Sequence, residues 1–158
     1  MTNAVPAETR RLKLIPKTLA DVHAQIAAMT PDQRALMSRD WLAQLASPAV
    51  DTWTLGFAIV DRATDAVVGT CGFKGPPGTD GIVEIAYGVN PDQQGKGYAT
   101  EAAEWLVAYA FGAEQVRRVR AHTLSATNAS ARVLTKCGFM SVGEVVDPED
   151  GPVWRWEK

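Results

Sequence analysis

The sequence predicts a single mixed α/β domain of the α+β type, with helices packed on a mostly antiparallel sheet. Three observations support this fold class. Apolar residues alternate with other residues in several short runs, which is typical of half-buried strands. Elsewhere they recur every three or four positions, the spacing of one helix face. The chain of 158 residues has no internal repeat or linker, so we expect one domain over residues 1–158.

The N-terminal third predicts one strand and two helices. Arg10 to Ile15 alternates basic and apolar residues, which indicates a half-buried edge strand ended by the following proline. Thr18 and Asp21 have the spacing of a capping box, so a helix should begin at about residue 19. A second helix should begin at Pro31, and its apolar spacing continues to Ser47.

The rest of the chain predicts a meander, two further helices and three further strands. Trp53, Leu55, Phe57 and Ile59 alternate along the first meander strand. The other predicted strands are 66–73, 82–89, 115–123, 140–146 and 153–156, and the helices are 99–112 and 128–136. The total is about six to seven strands and about four helices.

Composition narrows the function classes. The formal net charge is −2, which disfavours a nucleic-acid partner, because such proteins usually carry a basic surplus. The two cysteines and two histidines stand in no metal-ligand spacing, so we expect no metal. We see no leader pattern and no apolar run of membrane-spanning length, and we expect a cytoplasmic protein without a membrane partner.

The segment 81–103 carries the chemistry. It reads as a buried strand, a turn with Gly95 and Gly97, and the start of a helix. Such a turn aims backbone N–H groups and the positive end of a helix dipole at one point, which suits a phosphate or pyrophosphate. Lys96 adds a cation. The turn is too short for a Walker loop, and the dinucleotide fingerprint would need glycine where Thr100 stands.

The turn Gln94-Gly-Lys-Gly97-Tyr-Ala99 resembles the Q/R-x-x-G-x-G/A signature of the GNAT N-acetyltransferase superfamily. Three further stretches resemble its ribosomal-protein-alanine (Rim-type) branch: Gly97 to Ala102, Asn128-Ala-Ser130 and Lys136-Cys-Gly-Phe139. The element order is also similar, so the resemblance covers nearly the whole chain. It implies the GNAT fold, with a sheet splayed apart at the cofactor site.

The resemblance implies acetyl-CoA as co-substrate and assigns its contacts. Backbone amides of Gln94, Gly95, Lys96, Gly97, Tyr98 and Ala99 would bind the pyrophosphate of coenzyme A. The pantetheine arm would pair with the strand end formed by Ala86, Tyr87, Gly88 and Val89. Asn128 resembles the family residue that hydrogen-bonds the pantetheine, and it can equally be an ordinary helix N-cap.

Two residues are candidates for proton transfer. Glu84 shares a strand face with Ile82, Ala86 and Gly88, and a carboxylate in mid-strand needs a partner. Several GNAT enzymes place a general base at this position; the alternative is a salt bridge to a facing lysine or arginine. The usual tyrosine acid is replaced by Leu134, and Ser130 resembles the serine that protonates the thiolate in the Rim-type branch. Its alternative is a backbone hydrogen bond early in the helix.

The resemblance therefore implies an N-acetyltransferase, which would transfer an acetyl group from acetyl-CoA to a primary amine by direct attack of the amine. The amine could belong to a protein N-terminus or a small molecule, and the protein could be a monomer or a homodimer. Two alternatives stay open: an acyl-CoA sensor of the same fold without turnover, and a nucleotide-dependent enzyme that uses the glycine turn.

Overall fold

The computed structural model describes residues 7–48, 50–124, 129–148 and 151–158. One sheet of eight strands runs through them in the order β1-β2-β3-β4-β5-β6-β8-β7. All neighbouring pairs are antiparallel except β5 and β6, which are parallel. The strands are β1 (Ala7–Glu8), β2 (Leu12–Pro16), β3 (Phe57–Asp61), β4 (Val67–Phe73), β5 (Ile82–Val89), β6 (Arg118–Leu124), β7 (Met140–Asp147) and β8 (Gly151–Glu157).

Six α-helices connect the strands within the described residues. They are α1 (Leu19–Ala27), α2 (Pro31–Ala35), α3 (Arg39–Leu45), α4 (Thr52–Leu55), α5 (Tyr98–Phe111) and α6 (Ala129–Lys136), with a 3₁₀ turn over Pro91–Gln93. The mixed α/β class and the mostly antiparallel sheet are confirmed. The eighth strand is the two-residue β1, too short for an alternation pattern to reveal it. Because β1 pairs with β2, the predicted edge strand at Arg10 to Ile15 is the second strand of the sheet.

The helix count exceeds the expected four because one predicted helix is broken and one predicted strand begins as a helix. The expected helix from Pro31 to Ser47 is interrupted at residues 36–38, where the Ser38 side chain caps a new helix by accepting from the Trp41 N–H at 3.2 Å. The side chain of a capping serine competes with the helical backbone for hydrogen bonds. The chain therefore ends α2 and begins α3 here, although the apolar spacing continues across the break.

The strand predicted from Trp53 to Ile59 is wrong over its first half. Asp51 caps the short helix α4 by accepting from the Trp53 N–H at 3.1 Å, and Gly56, at φ 75°, turns the chain into β3. Trp53 packs instead on Phe73 and Tyr109, with ring centroids 4.7 and 5.4 Å away. Alternation over four residues was insufficient because the aromatic cluster that holds Trp53 forms only in the folded chain.

Helix α5 is the centre of the core. Six of its side chains are buried, and they pack with apolar residues of strands β2 to β6. On β5, Val83 and Ile85 point into this core, whereas Glu84 and Ala86 alternate away from it, as strand geometry requires. The strand and the helix are joined by the glycine turn, so packing of α5 on the sheet fixes where that turn stands relative to β5.

The sheet opens between β5 and β6. The two strands pair only at Ile82, Val83 and Glu84, opposite Arg118, Val119 and Arg120. From residue 120 onward β6 pairs with β8, while β5 remains paired with β4 up to Val89. The sheet therefore has a V-shaped gap that begins directly after Glu84, as the expectation of a splayed sheet implied.

Candidate active site

One edge of β5 is open along the gap. Residues 85–89 pair with β4 on one side, and no described strand pairs with the opposite side beyond Glu84. Backbone N–H and C=O groups at such an edge are a template for an added extended chain. The predicted residues Ala86, Tyr87, Gly88 and Val89 form this open edge.

The glycine turn stands at the end of that edge. Gly95 and Gly97 have φ values of 78° and 83°, a conformation that L side chains adopt only with strain. A Cβ atom at Gly95 would meet no described heavy atom within 4 Å, so the space above the turn is open. Gly97 is the N-cap of α5 and supplies no side-chain hydrogen bond. The first N–H groups of α5 are therefore available to an anion.

Arg11 holds the turn from the side of β2. Its Nη1 donates to the Lys96 carbonyl at 2.7 Å, and its Nε donates to Glu101 Oε1 at 2.9 Å. Its guanidinium lies 5.0 Å from the centre of the Tyr98 ring, and the Tyr98 hydroxyl donates to Asp61. The Tyr98 side chain thus makes structural contacts with Arg11 and Asp61. Sequence reasoning missed this clamp, which joins residues 85 or more positions apart.

A groove of about 370 Å³ connects the open edge, the turn and α6. Its lining contains most predicted cofactor residues, and it adds two cations of α6, Arg132 and Lys136. Lys96 is exposed, and its Nζ donates to Gln93 Oε1 at 3.0 Å. Asn128 lies outside the described residues. The predicted residues that line the groove are Tyr87, Gly88, Val89, Gln94, Gly95, Gly97, Tyr98, Ala99 and Ser130.

Tyr87 lies where three cavities meet. It lines the groove of about 370 Å³ described above. It also lines a cavity of about 620 Å³ in the gap between β5 and β6, and a separate cleft of about 420 Å³. Its hydroxyl donates to the Ser130 carbonyl at 3.4 Å, which ties β5 to α6 across the gap. Burial raises the pKa of Tyr87 to about 12, so its hydroxyl stays protonated at neutral pH.

Glu84 lines the gap cavity, and its carboxylate has two nitrogen neighbours. Glu84 Oε2 is 3.1 Å from Lys74 Nζ and 3.3 Å from His122 Nδ1. The side chain retains 20% of its accessible surface, so it is largely buried yet reachable from the cavity. The salt-bridge alternative is therefore present in the geometry, through Lys74.

His122 is the neighbour that sequence reasoning missed. Its side chain is 6% exposed, and its Nε2 accepts from Arg155 Nε at 3.1 Å. An imidazole nitrogen that accepts carries no proton, so neutral His122 has its proton on Nδ1, the atom nearest Glu84. The Nδ1 atom makes no hydrogen bond of good geometry within the described residues. No local pattern in the sequence indicates this contact. It follows from the register of β5 and β6 in the fold, in which Glu84 pairs with Arg120, two positions before His122.

The two residues considered for the thiolate acid differ in position. Ser130 is half-buried and lines both the groove and the gap cavity, so the structure places it between them. Leu134 lies one turn further along α6 and is fully buried. A serine hydroxyl is thus available at this junction, and the Leu134 position supplies no proton donor.

The comparison with known proteins identifies the family. The sequence profile of the acetyltransferase (GNAT) domain matches residues 9–140, which include both the open edge and the turn. The chain belongs to the GNAT acetyltransferase family. It is therefore an acyltransferase by class.

Two curated relatives are N-acetyltransferases by name. This GNAT chain is 29% identical over 121 residues to the uncharacterized N-acetyltransferase p20 of Bacillus licheniformis, which covers 77% of this chain and 68% of p20. It is 34% identical over 90 residues to the uncharacterized N-acetyltransferase YjdG of Bacillus subtilis strain 168, which covers 57% of this chain. The match spans about half of YjdG, 51% of its length.

Solved GNAT structures share the fold over almost the full chain. The ribosomal-protein-S5-alanine acetyltransferase from Vibrio fischeri has a TM-score of 0.68 at 17% identity, over 98% of this chain and 96% of that one. The aminoglycoside acetyltransferase AAC(6')-Ib, in complex with coenzyme A and kanamycin, has a TM-score of 0.66 at 20% identity, over 93% and 94%. At these identities the likeness establishes the fold.

Two features are absent from the described part of this GNAT protein. Within residues 7–48, 50–124, 129–148 and 151–158, no cluster of histidine, cysteine and acidic side chains has the arrangement of a metal site. Among the helices described, none is both long and apolar enough to cross a membrane.

Proposed function

We propose that this protein transfers an acetyl group from acetyl-CoA to a primary amine by direct attack of the amine on the thioester. The observation that carries this proposal is the juxtaposition of the open β5 edge, the uncapped N-terminus of α5 and Glu84 along one gap in the sheet. An acetyl-CoA bound along this line would lie with its thioester close to Glu84.

The site residues fit coenzyme A. An extended amide-containing arm can pair with the free groups of Ala86 to Val89, like an added strand. A pyrophosphate can accept from the N–H groups of the turn, where Gly95 leaves open space. The cations Arg132 and Lys136 line the same groove and can attract further phosphate charge. The acetyl thioester is supplied by acetyl-CoA, and the chain contributes position and proton transfer.

Glu84 is the proposed general base. An acceptor amine must lose a proton as its nitrogen bonds to the acetyl carbon, and a carboxylate within reach of the gap can take that proton directly or through water. Lys74 pairs with the carboxylate at 3.1 Å, and His122 Nδ1 lies 3.3 Å from the same oxygen. The breaking C–S bond leaves a thiolate, and the Ser130 hydroxyl is the proposed proton donor to it. A backbone role for Ser130 is the alternative.

Isothermal titration with acetyl-CoA and coenzyme A tests the cofactor assignment. We expect saturable binding of both, and thermal stabilisation by coenzyme A but not by ATP or NAD. Absence of coenzyme A binding contradicts the proposal, and stabilisation by a nucleotide alone would favour the nucleotide-dependent alternative.

Release of free thiol from acetyl-CoA tests the transfer itself. We expect release to depend on an added amine, because the thioester is consumed only when an acceptor attacks it. A protein that binds acetyl-CoA and releases no thiol with any amine of a broad panel is a sensor of the same fold. The buried Leu134, at the position of the usual tyrosine acid, is the observation that makes this comparison necessary.

A further inference from the structure

The cleft of about 420 Å³ beside β4 and β5 is lined by positive charges that no carboxylate of its described lining balances. Side chains of α1, α3 and α4 stand over β4 and β5 around a volume of about 420 Å³. It joins the gap cavity at Lys74, Ala86 and Tyr87, which line both. Its described lining contains two ammonium groups, Lys17 and Lys74, and no carboxylate.

Lys74 already has an anionic partner in Glu84. Lys17 differs: within the described residues its Nζ donates to Gln25 Oε1 at 2.9 Å, and no carboxylate lies within 4.0 Å of it. Burial lowers the pKa of Lys17, the direction that an ammonium takes when it is desolvated without a full counter-charge.

The nearby acidic groups compensate Lys17 only in part, because attraction to Asp21 opposes the fall in the pKa of Lys17 without cancelling it. Asp21 is exposed and forms the capping box of α1, where its Oδ2 accepts from the Thr18 N–H at 2.9 Å. The Cys71 thiol lies close enough to interact, but burial raises its pKa to about 12, so it is neutral at physiological pH. A bound anion would complete the counter-charge that the described residues supply only in part.

The cleft has a large apolar surface beside Lys17, together with a few polar side chains such as Gln25, Ser38 and Thr70. Met37, Trp41 and Phe73 line the cleft. The Trp41 indole N–H donates to the Thr54 carbonyl at 2.7 Å, and the Thr54 hydroxyl donates to Gln44 at 2.8 Å, so these polar groups are satisfied inside the wall. A ligand in this cleft would therefore meet hydrophobic surface between Lys17 and β5.

The strand register gives the span of this ligand. Pro16 pairs with Phe57, Phe57 with Cys71, and Cys71 with Tyr87, so three inter-strand spacings separate the residue before Lys17 from the open edge. That is roughly 14 Å between backbones at ~4.8 Å per strand. The lysine side chain bridges part of the distance, which leaves several bonds between the anionic group and the amine.

We propose that Lys17 is an acceptor-binding residue, and that the acceptor is an amine joined by an apolar spacer to an anionic group such as a carboxylate. This inference rests on the proposed function. The carboxylate would pair with Lys17, the spacer would lie against Met37, Trp41 and Phe73, and the amine would reach the gap beside Glu84. A dication is disfavoured because its second charge would meet an ammonium.

The test uses three six-carbon probes: ε-aminocaproate, hexylamine and hexamethylenediamine. Their dissociation constants are measured by titration calorimetry on the protein loaded with coenzyme A, at low and at raised ionic strength. We expect ε-aminocaproate to bind about tenfold more tightly than hexylamine, because its carboxylate makes one more partly buried, charge-assisted contact. The diamine should bind most weakly, and salt should reduce the preference.

Variants assign the preference to Lys17. Lys17→Met should abolish it, and Lys17→Arg should retain most of it. Lys13→Met is the matched control, since Lys13 lies four positions earlier and pairs with Asp65 at the surface. Equal or weaker binding of ε-aminocaproate by the wild-type protein overturns the inference without any variant, as does a preference that survives Lys17→Met.

The outcomes separate the two proposals. If the protein shows no preference for the carboxylate probe but still releases thiol when an amine is added, only the proposed acceptor class is contradicted. Carboxylate-dependent binding without thiol release supports the anionic subsite and contradicts acetyl transfer.

Discussion

At the scale of single residues, Glu84 is surrounded by groups that can keep its charge and its orientation. Lys74 and His122 approach the same oxygen, Oε2, from two sides. A carboxylate held in this way is available as a base whenever it is deprotonated, and the same contacts make it a structural salt bridge. Structure and catalysis are therefore separable at this position only by kinetics.

Glu84→Gln keeps the size and one acceptor oxygen but removes the basic group. We expect kcat/KM for the amine to fall by about 10²- to 10⁴-fold, the range of general-base catalysis. The loss should be present across pH 6 to 9, because the amide accepts no proton from the amine in this range. Glu104→Gln, an exposed change on α5, is the control. Full activity of Glu84→Gln between pH 6 and 9 would assign the residue a structural role.

His122→Gln tests the positioning of Glu84. Loss of the imidazole removes the Nδ1 proton that faces Glu84 and the acceptor of the Arg155 hydrogen bond. We expect kcat to fall about tenfold, with the dissociation constant for coenzyme A unchanged. His23→Gln on the exposed face of α1 should leave both quantities as in the wild type. A loss confined to thermal stability would mean that His122 acts only in packing.

At the scale of elements, the pairing of β4 with β5 sets the position of the open edge. Gly69 and Gly88 show how closely these backbones approach. A Cβ atom built on Gly69 would lie 2.2 Å from the Gly88 carbonyl oxygen, whereas one on Gly88 would meet no heavy atom within 4 Å. The core side of the edge is thus rigidly defined, and the cofactor side is open.

Gly69→Ala and Gly88→Ala form a matched pair. We expect Gly69→Ala to lower the free energy of unfolding by about 1–3 kcal/mol, because the strands must separate to admit the methyl group. Gly88→Ala should leave stability nearly unchanged and should weaken coenzyme A binding, since its methyl group enters the groove. Urea unfolding and calorimetric titration measure the two effects. Equal stability losses in both variants would contradict this view of the edge.

At the scale of the whole molecule, carboxylates far apart in the sequence tie the ends of the fold together. Glu101 accepts from the side chain of Thr9 and from Arg11, which joins α5 to the N-terminal strands. Glu157 accepts from Arg118 and Arg120 at 3.2 and 2.9 Å, which joins β8 to β6. Although burial opposes it, these hydrogen bonds and ion pairs lower the pKa of both carboxyl groups.

Acid should therefore destabilise the protein. A carboxyl group whose pKa is lower in the folded state binds fewer protons than in the unfolded state, so its contribution is complete above the unfolded value, about 4.3, and is lost as the pH falls through the folded value. We expect the free energy of unfolding to decrease below about pH 4.5. Glu101→Gln should flatten this dependence and cost about 1–2 kcal/mol at neutral pH. Urea unfolding at several pH values measures it, and an unchanged slope would contradict the assignment.

The local signals of the sequence were sufficient for most elements and for the turn. Alternation identified β5 and its two faces, helical spacing identified α5, and the paired glycines identified the turn. These features depend on residues close in the chain, so their patterns survive without tertiary context. The strand at Trp53 and the continuous second helix failed because Asp51, Ser38 and the aromatic cluster decide those boundaries.

The sequence by itself determined the family signature, the glycine turn and the carboxylate at residue 84, because each is carried by residue types at short spacing. Only the tertiary structure decided what surrounds them. The parallel register of β5 and β6 brings His122 to Glu84, Arg11 reaches the turn across the sheet, and Lys17 lies in a cleft whose described lining contains no carboxylate. Such contacts join residues that are distant in the chain, and no local pattern encodes their distance or charge balance.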